Sequence, residues 1–340
     1  MPCYNEEHYI ADCLQSVSAQ DYPKERIEIL VADGMSHDLT REILVELSQK
    51  DPRIVVIDNP DRIQSAGMNA AISRARGDIL IRMDVHADYA TDFVRKCVEV
   101  LQRTGAKNVG GAARTKAKTF FQRALSAALR SPLAVGGSKY RDPDNEGWVE
   151  SVFPGAFLRE VFETVGMFDP RAITNEDAEI NQRIHEHGGR VFLSKEIVVY
   201  YYPRDSFAGL FRQYFKYGQG RARTLVKHGK FLSIRPAIPF LMVTSGVAMA
   251  VTPTLQPLLP WTAGAYAALT GIEAIRVGQE AGLAAIPVVW AIFPVLHVSH
   301  GLGFASGLIK YIVRPDWSSP PMLPTRTATN GPAKLARPRA

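Results

Sequence analysis

The chain has 340 residues, 46% of them hydrophobic, and a formal net charge of +6. That length and apolar content supply a substantial core for one large or two ordinary domains and exclude an intrinsically disordered chain. Cys3, Cys13 and Cys97 show neither paired metal spacing nor an even disulfide set, so the folded part is expected in a reduced, cytosolic setting.

The opening MPCYNEEHYI is polar and acidic and lacks the basic-then-apolar pattern of a secretory signal. Up to about residue 110, two kinds of segment alternate. RIEILVAD, RIVVID and GDILIRMD are short runs rich in β-branched residues, whereas NEEHYIADCLQSVSAQ, DLTREILVELSQK and SAGMNAAISRARG show helical spacing. This predicts a parallel sheet with helices on both faces, whose ligand sits beyond the carboxyl ends of the strands. Asp33 and Asp84 each end such a run, so a nucleotide cleft is expected there.

MDVHAD spaces Asp84, His86 and Asp88 two apart directly after DILIRM. On an extended strand Asp84 and His86 share a face. A carboxylate oxygen with an imidazole nitrogen suits Mn2+, and Mg2+ can be held by one carboxylate plus substrate phosphates. The triplet alone is also readable as polar residues ending a strand, with Asp88 capping a helix from about Thr91.

From 109 to 202, strands (VGGAAR, WVESVF, EIVVYYY) and helices near 120–131, 157–165 and 176–187 extend the same domain. Gly110-Gly111 and Pro154-Gly155 mark turns or close backbone approaches. In TNEDAE, Thr174 and Asp177 can form a capping box, or Asp177 can serve as a general base.

Residues 204–235 carry eight basic residues against Asp205 alone. Phe207, Leu210, Phe211, Tyr214 and Phe215 recur with helical spacing, and Arg212, Lys216, Arg223 and Lys227 fall on another face. A basic amphipathic helix ahead of apolar segments is expected on the cytosolic lipid surface, which accounts for the charge better than nucleic acid does. Charged residues are absent from the 37 residues 236–272 and the 29 residues 281–309. Spans are expected near 237–253, 257–275 and 282–300, with a short helix to about 313, giving about three spans in 236–313. Buried helices of a soluble core are the weaker alternative. The basic tail 314–340 is expected to be disordered.

Five stretches stand in order: PCYNEE at 2–7, VADGMSHD at 31–38, MDVHAD at 83–88, FPGAFLRE at 153–160 and TNEDAEINQRI at 174–184. Together they resemble the family-2 glycosyltransferases, nearest the membrane-associated branch of the succinoglycan-biosynthesis ExoA type, over residues 2 to about 313. The resemblance implies an α/β GT-A nucleotide-diphospho-sugar transferase fold in residues 1–203, a mostly parallel sheet flanked by helices, followed by C-terminal transmembrane helices. It implies that Pro2, Tyr4, Asn5 and Glu6 line the nucleotide cleft and that Asp33 holds a uracil-type base. Asp84 would lie by the ribose and the metal, and His86 would coordinate Mn2+ or Mg2+. Gly155 and Ala156 would sit near donor sugar or acceptor, with Asp177 as base and Glu176 shaping the acceptor site.

The implied activity is inverting transfer of a hexose from a nucleotide sugar such as UDP-glucose to a lipid-linked saccharide, in exopolysaccharide or cell-surface glycan synthesis. The catalytic part would face the cytoplasm from the cell membrane. A polyprenyl-phosphate sugar synthase and a membrane-anchored inactive nucleotide-binding protein stay open, as does Asp33 merely opening a turn before Gly34. QxxRW is absent and QYFKYGQGR stands in that region, which favours addition of one sugar. Relatives carry an apolar strand before PCYNEE, so the central strand is expected to be missing here and the native start to lie upstream.

Overall fold

The computed structural model describes residues 1–137, 142–230 and 232–325. The first elements alternate as the periodicity predicts: β1 (Pro2–Cys3), α1 (Ile10–Ser18), β2 (Ile29–Asp33), α2 (Thr40–Lys50), β3 (Ile54–Asp58), α3 (Gln64–Arg74) and β4 (Ile79–Ile81). β1, β2 and β3 form a parallel sheet with β2 in the middle, Pro2 opposite Ala32 and Ala32 opposite Ile57. β1 covers only Pro2 and Cys3 and lies at the edge of this sheet.

There follow β5 (Ala87–Tyr89), α4 (Phe93–Thr104), β6 (Asn108–Gly110), β7 (Ala113–Thr115), α5 (Phe120–Leu129), α6 (Pro132–Val135), β8 (Gly147–Val149) and β9 (Ala156–Leu158). Then come α7 (Arg159–Thr164), α8 (Glu176–Glu186), β10 (Val191–Leu193) and β11 (Val199–Tyr201). A five-stranded sheet runs β4-β9-β6-β10-β8 and a small one β5-β11-β7. β9 is antiparallel to β4 and β6, so the second half of the architecture is mixed rather than parallel. Three-residue strands such as AFL and VFL are too short to show alternation, so in the sequence pattern β9 merges with the following helix. α1, α2 and α4 bury Ile10, Leu14, Leu44 and Phe93 on one side, and α3, α7 and α8 bury Phe157, Phe162 and Phe168 on the other. Each such side chain contributes about 1.5–3 kcal/mol of burial.

The C-terminal part comprises α9 (Phe207–His228), α10 (Ile238–Val251), α11 (Leu259–Gly278) and α12 (Ile286–Val313). Among the described residues one helical stretch, Leu283–Val313, is long and apolar enough to cross a membrane, and Arg235–Val251 is a shorter apolar helix. The third expected span and the short helix after it are one continuous helix, with Pro294 inside it.

Two expectations are corrected here. α9 does not lie free on a surface: Leu210, Tyr214, Gly218 and Ala222 are buried as it packs along α12. A Cβ on Gly303 would fall 2.0 Å from the Phe215 carbonyl oxygen, an approach open only to glycine. Arg223 and Lys227, expected on the outward basic face, turn inward to Asp169 at 2.7 and 2.8 Å. Nor is the segment after α12 a loose tail. Met167 N–H donates to the Pro321 carbonyl at 2.8 Å, Leu323 N–H to that of Phe162 at 3.1 Å, and Leu323 is 2% exposed. Prolines leave this strap few conformations to lose on docking. The remainder of the expected tail, 326–340, lies outside the described residues.

Candidate active site

A cleft of about 990 Å³ opens beyond the carboxyl ends of β1 and β4 and continues to α10 and α12. Its first wall is the loop after β1. Asn5 takes a left-handed φ of 54°, and the loop is tied to the turn after β2: Asn5 N–H donates to Ser36 Oγ at 2.9 Å and Glu6 N–H to Thr40 Oγ1 at 2.7 Å. Gly34 admits Tyr4, since a Cβ there would lie 3.0 Å from Tyr4 Cδ2. Tyr4 stays open to the cleft, with the Arg62 guanidinium over its ring at 5.8 Å.

Asp33 is wholly buried behind that wall. Its Oδ1 accepts from the Ser36 hydroxyl at 2.6 Å and its Oδ2 from Arg41 at 3.0 Å. Asn5 likewise spends its side chain on His37, accepting from His37 N–H at 3.1 Å. Both organise the wall rather than form it.

Asp84 and His86 follow β4 in an extended loop and turn, not on a shared strand face. The loop is pinned by Tyr89, whose hydroxyl accepts from Asp84 N–H at 2.6 Å. Arg82, absent from the sequence reading, is the hub. Its Nε donates to Asp84 Oδ1 at 3.0 Å, its Nη1 to Glu176 Oε1 at 2.8 Å, and its backbone N–H to the Gly155 carbonyl at 2.9 Å. Burial works against the guanidinium charge, but Asp84 and Glu176 outweigh it and hold Arg82 above the ordinary arginine range. Burial pushes Glu176 up from the usual carboxylate range even beside Arg82. Gly155 and Ala156 do not line the cleft. Gly155 packs where a Cβ would fall 2.5 Å from the Phe157 ring, and Ala156 is buried in β9.

His86 is half exposed, and its Nε2 lies 3.0 Å from a Glu6 carboxylate oxygen. Among the described residues no three metal-ligating side chains converge on one point. The Asp84 and His86 donors on one cleft wall nevertheless fit Mn2+ or Mg2+ that completes its shell from phosphate and water. Asp88 is elsewhere: it pairs with Lys116 at 2.8 Å, accepts from the Tyr202 hydroxyl at 2.9 Å, and caps no helix.

α8 brings Glu176 and Asp177 into the cleft. Asn175, at a left-handed φ of 60°, is its N-cap residue without a side-chain capping bond. Thr174 and Asp177 form no capping box, because the Thr174 hydroxyl donates to the Lys216 carbonyl at 3.1 Å, and Asn175 Nδ2 donates to that of Tyr217 at 3.0 Å. α8 is thus clamped to α9. Asp177 is half-buried, lines the cleft and has no cationic partner within ion-pair distance among the described residues. Pro2, Tyr4, Glu6, Asp84, His86, Glu176 and Asp177 therefore share one cleft, while Asn5, Asp33, Gly155 and Ala156 stand behind its walls.

Comparison with known proteins bears on this geometry. The fold matches that of a mannosyltransferase from Pyrobaculum calidifontis in complex with GDP-Man and Mn2+, at a TM-score of 0.59 and 20% identity over 90% of this chain and 85% of that one. Staphylococcus aureus TarS 1–349 aligns at a TM-score of 0.50 and 14% identity over 92% and 90%. The architecture is the GT-A fold of nucleotide-sugar transferases. The family model "Glycosyl transferase family 2" matches residues 1–166. The succinoglycan biosynthesis protein ExoA of Rhizobium meliloti (strain 1021) is 33% identical over 315 residues, 92% of this chain and 94% of that protein. A dolichyl N-acetyl-alpha-D-glucosaminyl phosphate 3-beta-D-2,3-diacetamido-2,3-dideoxy-beta-D-glucuronosyltransferase of Methanococcus voltae is 29% identical, over 91% and 96%. The chain belongs to glycosyltransferase family 2 and is a glycosyltransferase.

Proposed function

We propose that the protein transfers a hexose, with inversion, from a nucleotide sugar such as UDP-glucose to a lipid-linked saccharide at the cytoplasmic face of a cell membrane. In this reading residues 1–203 are catalytic, 204–235 form the interface segment and 236–313 the membrane region. Exposed Leu241, Val247, Val251, Trp261, Leu269 and Ile272 on α10 and α11 support a lipid environment, since so large an apolar surface is unfavourable in water. The names of the relatives support exopolysaccharide or other lipid-linked glycan synthesis.

The carrying observation is that, of the cleft carboxylates Asp84, Glu176 and Asp177, the first two are held by Arg82 and only Asp177 lacks a cationic partner among the described residues. An unpaired carboxylate at the cleft can take a proton; one locked to arginine serves position and charge. The acceptor hydroxyl oxygen bonds to the anomeric carbon as the bond to the diphosphate breaks on the opposite side. Asp177 receives the hydroxyl proton, and the nucleoside diphosphate leaves with the bonding electrons. Tyr4 and Arg62 offer a flat, cationic edge to the base and phosphates. Arg82 fixes Asp84 and Glu176. Held by Asp84 and His86, Mn2+ or Mg2+ would supply charge neutralisation to the departing diphosphate.

Membranes carrying the full chain, given radiolabelled nucleotide sugars and a lipid extract, should make one label organic-soluble. Asp177→Asn should keep nucleotide binding and lower turnover about a hundredfold or more. Normal turnover in Asp177→Asn would place the base elsewhere.

A further inference from the structure

The cleft does not end at Asp177. Its wall continues to Arg221 on α9, Arg235, Ile238 and Met242 at the start of α10, and His300 on α12. The packing fixes Arg221 there. A Cβ on Gly220 would come within 2.4 Å of Asn175 Nδ2, and one on Gly218 within 2.2 Å of the His300 carbonyl oxygen. Arg221 thus follows directly on a stretch of α9 wedged between the turn that carries Asp177 and α12.

Arg221 differs from the cations packed beside it, whereas Arg62, Lys118 and Arg204 on other parts of the cleft wall, like Arg221, have no carboxylate within ion-pair distance among the described residues. Arg223 and Lys227 close on Asp169, Arg82 on Asp84 and Glu176, and Arg235 on Glu150 at 3.0 Å. Half-buried Arg221 has no carboxylate within ion-pair distance among the described residues. His300 adds a second unsatisfied group, an Nδ1 that is buried without a hydrogen-bond partner among those residues. A partly desolvated charge without a counter-charge is unfavourable, and an incoming anion relieves it. From Ile238 and Met242 an apolar groove leads away along α10 past Leu241 and Ala248. Charge at one end and hydrocarbon at the other describe a single ligand class, an anion joined to a long apolar chain.

We propose that this end of the cleft binds the lipid-phosphate portion of the acceptor: Arg221 pairs with the phosphate next to the saccharide, and the hydrocarbon leaves along α10. The proposal rests on the reading of the acceptor as lipid-linked, but its test reads binding and needs no transfer. The full chain in detergent micelles is titrated calorimetrically with farnesyl phosphate, farnesol, inorganic phosphate and UDP. Farnesyl phosphate should bind at least about tenfold more tightly than farnesol or inorganic phosphate, as one charge-assisted contact allows. Arg221→Met should lose that factor, Arg221→Lys should recover most of it, and UDP should bind all three proteins alike. Undiminished farnesyl phosphate binding by Arg221→Met overturns the proposal, as does equal affinity for farnesol. Inorganic phosphate binding as tightly as farnesyl phosphate would make this a free-anion site and overturn it too. If UDP fails to bind while the farnesyl phosphate pattern holds, the donor reading falls and the subsite stands.

Discussion

Arg82 decides the electrostatics of the cleft, because it lets two acids stand close together without repelling. Asp84, in the loop after β4, and Glu176, at the start of α8, are 92 residues apart, and a guanidinium between them serves both with directed bonds. The arrangement leaves Asp177 free beside them. It also separates the roles within MDVHAD. Asp84→Ala or His86→Ala is expected to abolish Mn2+-dependent tightening of UDP binding along with transfer, whereas Asp88→Ala, whose carboxylate serves Lys116 and Tyr202, has a mild effect. Titrating UDP with and without Mn2+ checks this, and full tightening in His86→Ala would remove His86 from the metal site. Sequence spacing points to Asp84, His86 and Asp177, and all three line the cleft, where their roles are those proposed. Arg82 was not legible, because a basic residue at a strand end reads as a solvated flank. Asp33 lies behind the wall, and the limit there is related: spacing locates a carboxylate at the end of β2 but does not say whether Ser36 and Arg41 engage it.

At the scale of elements, the site depends on how α8 is held. Asp169 and Glu179 meet Arg223, Lys227, His228 and Arg183 in a buried clasp that ties α8 to α9. Although burial opposes it, the bond from His228 and the charges of Arg183 and Lys227 hold Glu179 well below the usual carboxylate range. Asp169 is lowered too, by Lys227 and Arg223 against burial. Both folded-state values are depressed, so this stabilisation is complete above the unfolded pKa of about 4 and is lost as pH falls through the folded values. Thermal unfolding should therefore shift downward as pH drops below about 5. Glu179→Gln should cost about 3–5 kcal/mol at neutral pH and flatten that acid dependence. An acid dependence equal to the wild type's in Glu179→Gln would locate it in other groups. The helices themselves were readable from apolar periodicity. Their docking was not, because Gly218, Gly303 and Gly307 read as weak points in a helix until another backbone is seen to lie against them.

At the scale of the whole molecule, the contacts at the ends of the apolar helices bear on how many times the chain crosses a bilayer. Three apolar stretches suggest three crossings, yet the contacts at their ends disagree. Arg235, at the entry to α10, pairs with Glu150 at 3.0 Å. Near the end of α11, Glu273 accepts from the Ser131 hydroxyl at 2.6 Å and Glu280 pairs with Arg130. Beyond α12, Asp316 pairs with Arg171 at 3.1 Å. All three junctions lie against the α/β part, and we propose from this that the number of crossings between residues 235 and 316 is even. α12 passes the test of length and composition for a span, but it begins and ends on the catalytic side and runs along α9. On this proposal the inserted element would be the α10–α11 hairpin. At 1.5 Å per residue α11 is about 30 Å long, which matches the hydrocarbon core in length although it is less apolar than α12, and α10 with its leading turn falls about 5 Å short, a mismatch that local thinning absorbs at modest cost. Lys230, Thr254 and Ser319 are exposed, and Cys3, Cys13 and Cys97 are buried, so single cysteines introduced at the three sites can be labelled against a quiet background. With an impermeant maleimide on sealed cells, Lys230→Cys and Ser319→Cys should both be protected until the cells are opened, and Thr254→Cys should react from outside. Labelling of Ser319→Cys from the side opposite Lys230→Cys would mean an odd number of crossings and would detach the 314–325 strap from the catalytic part in the membrane.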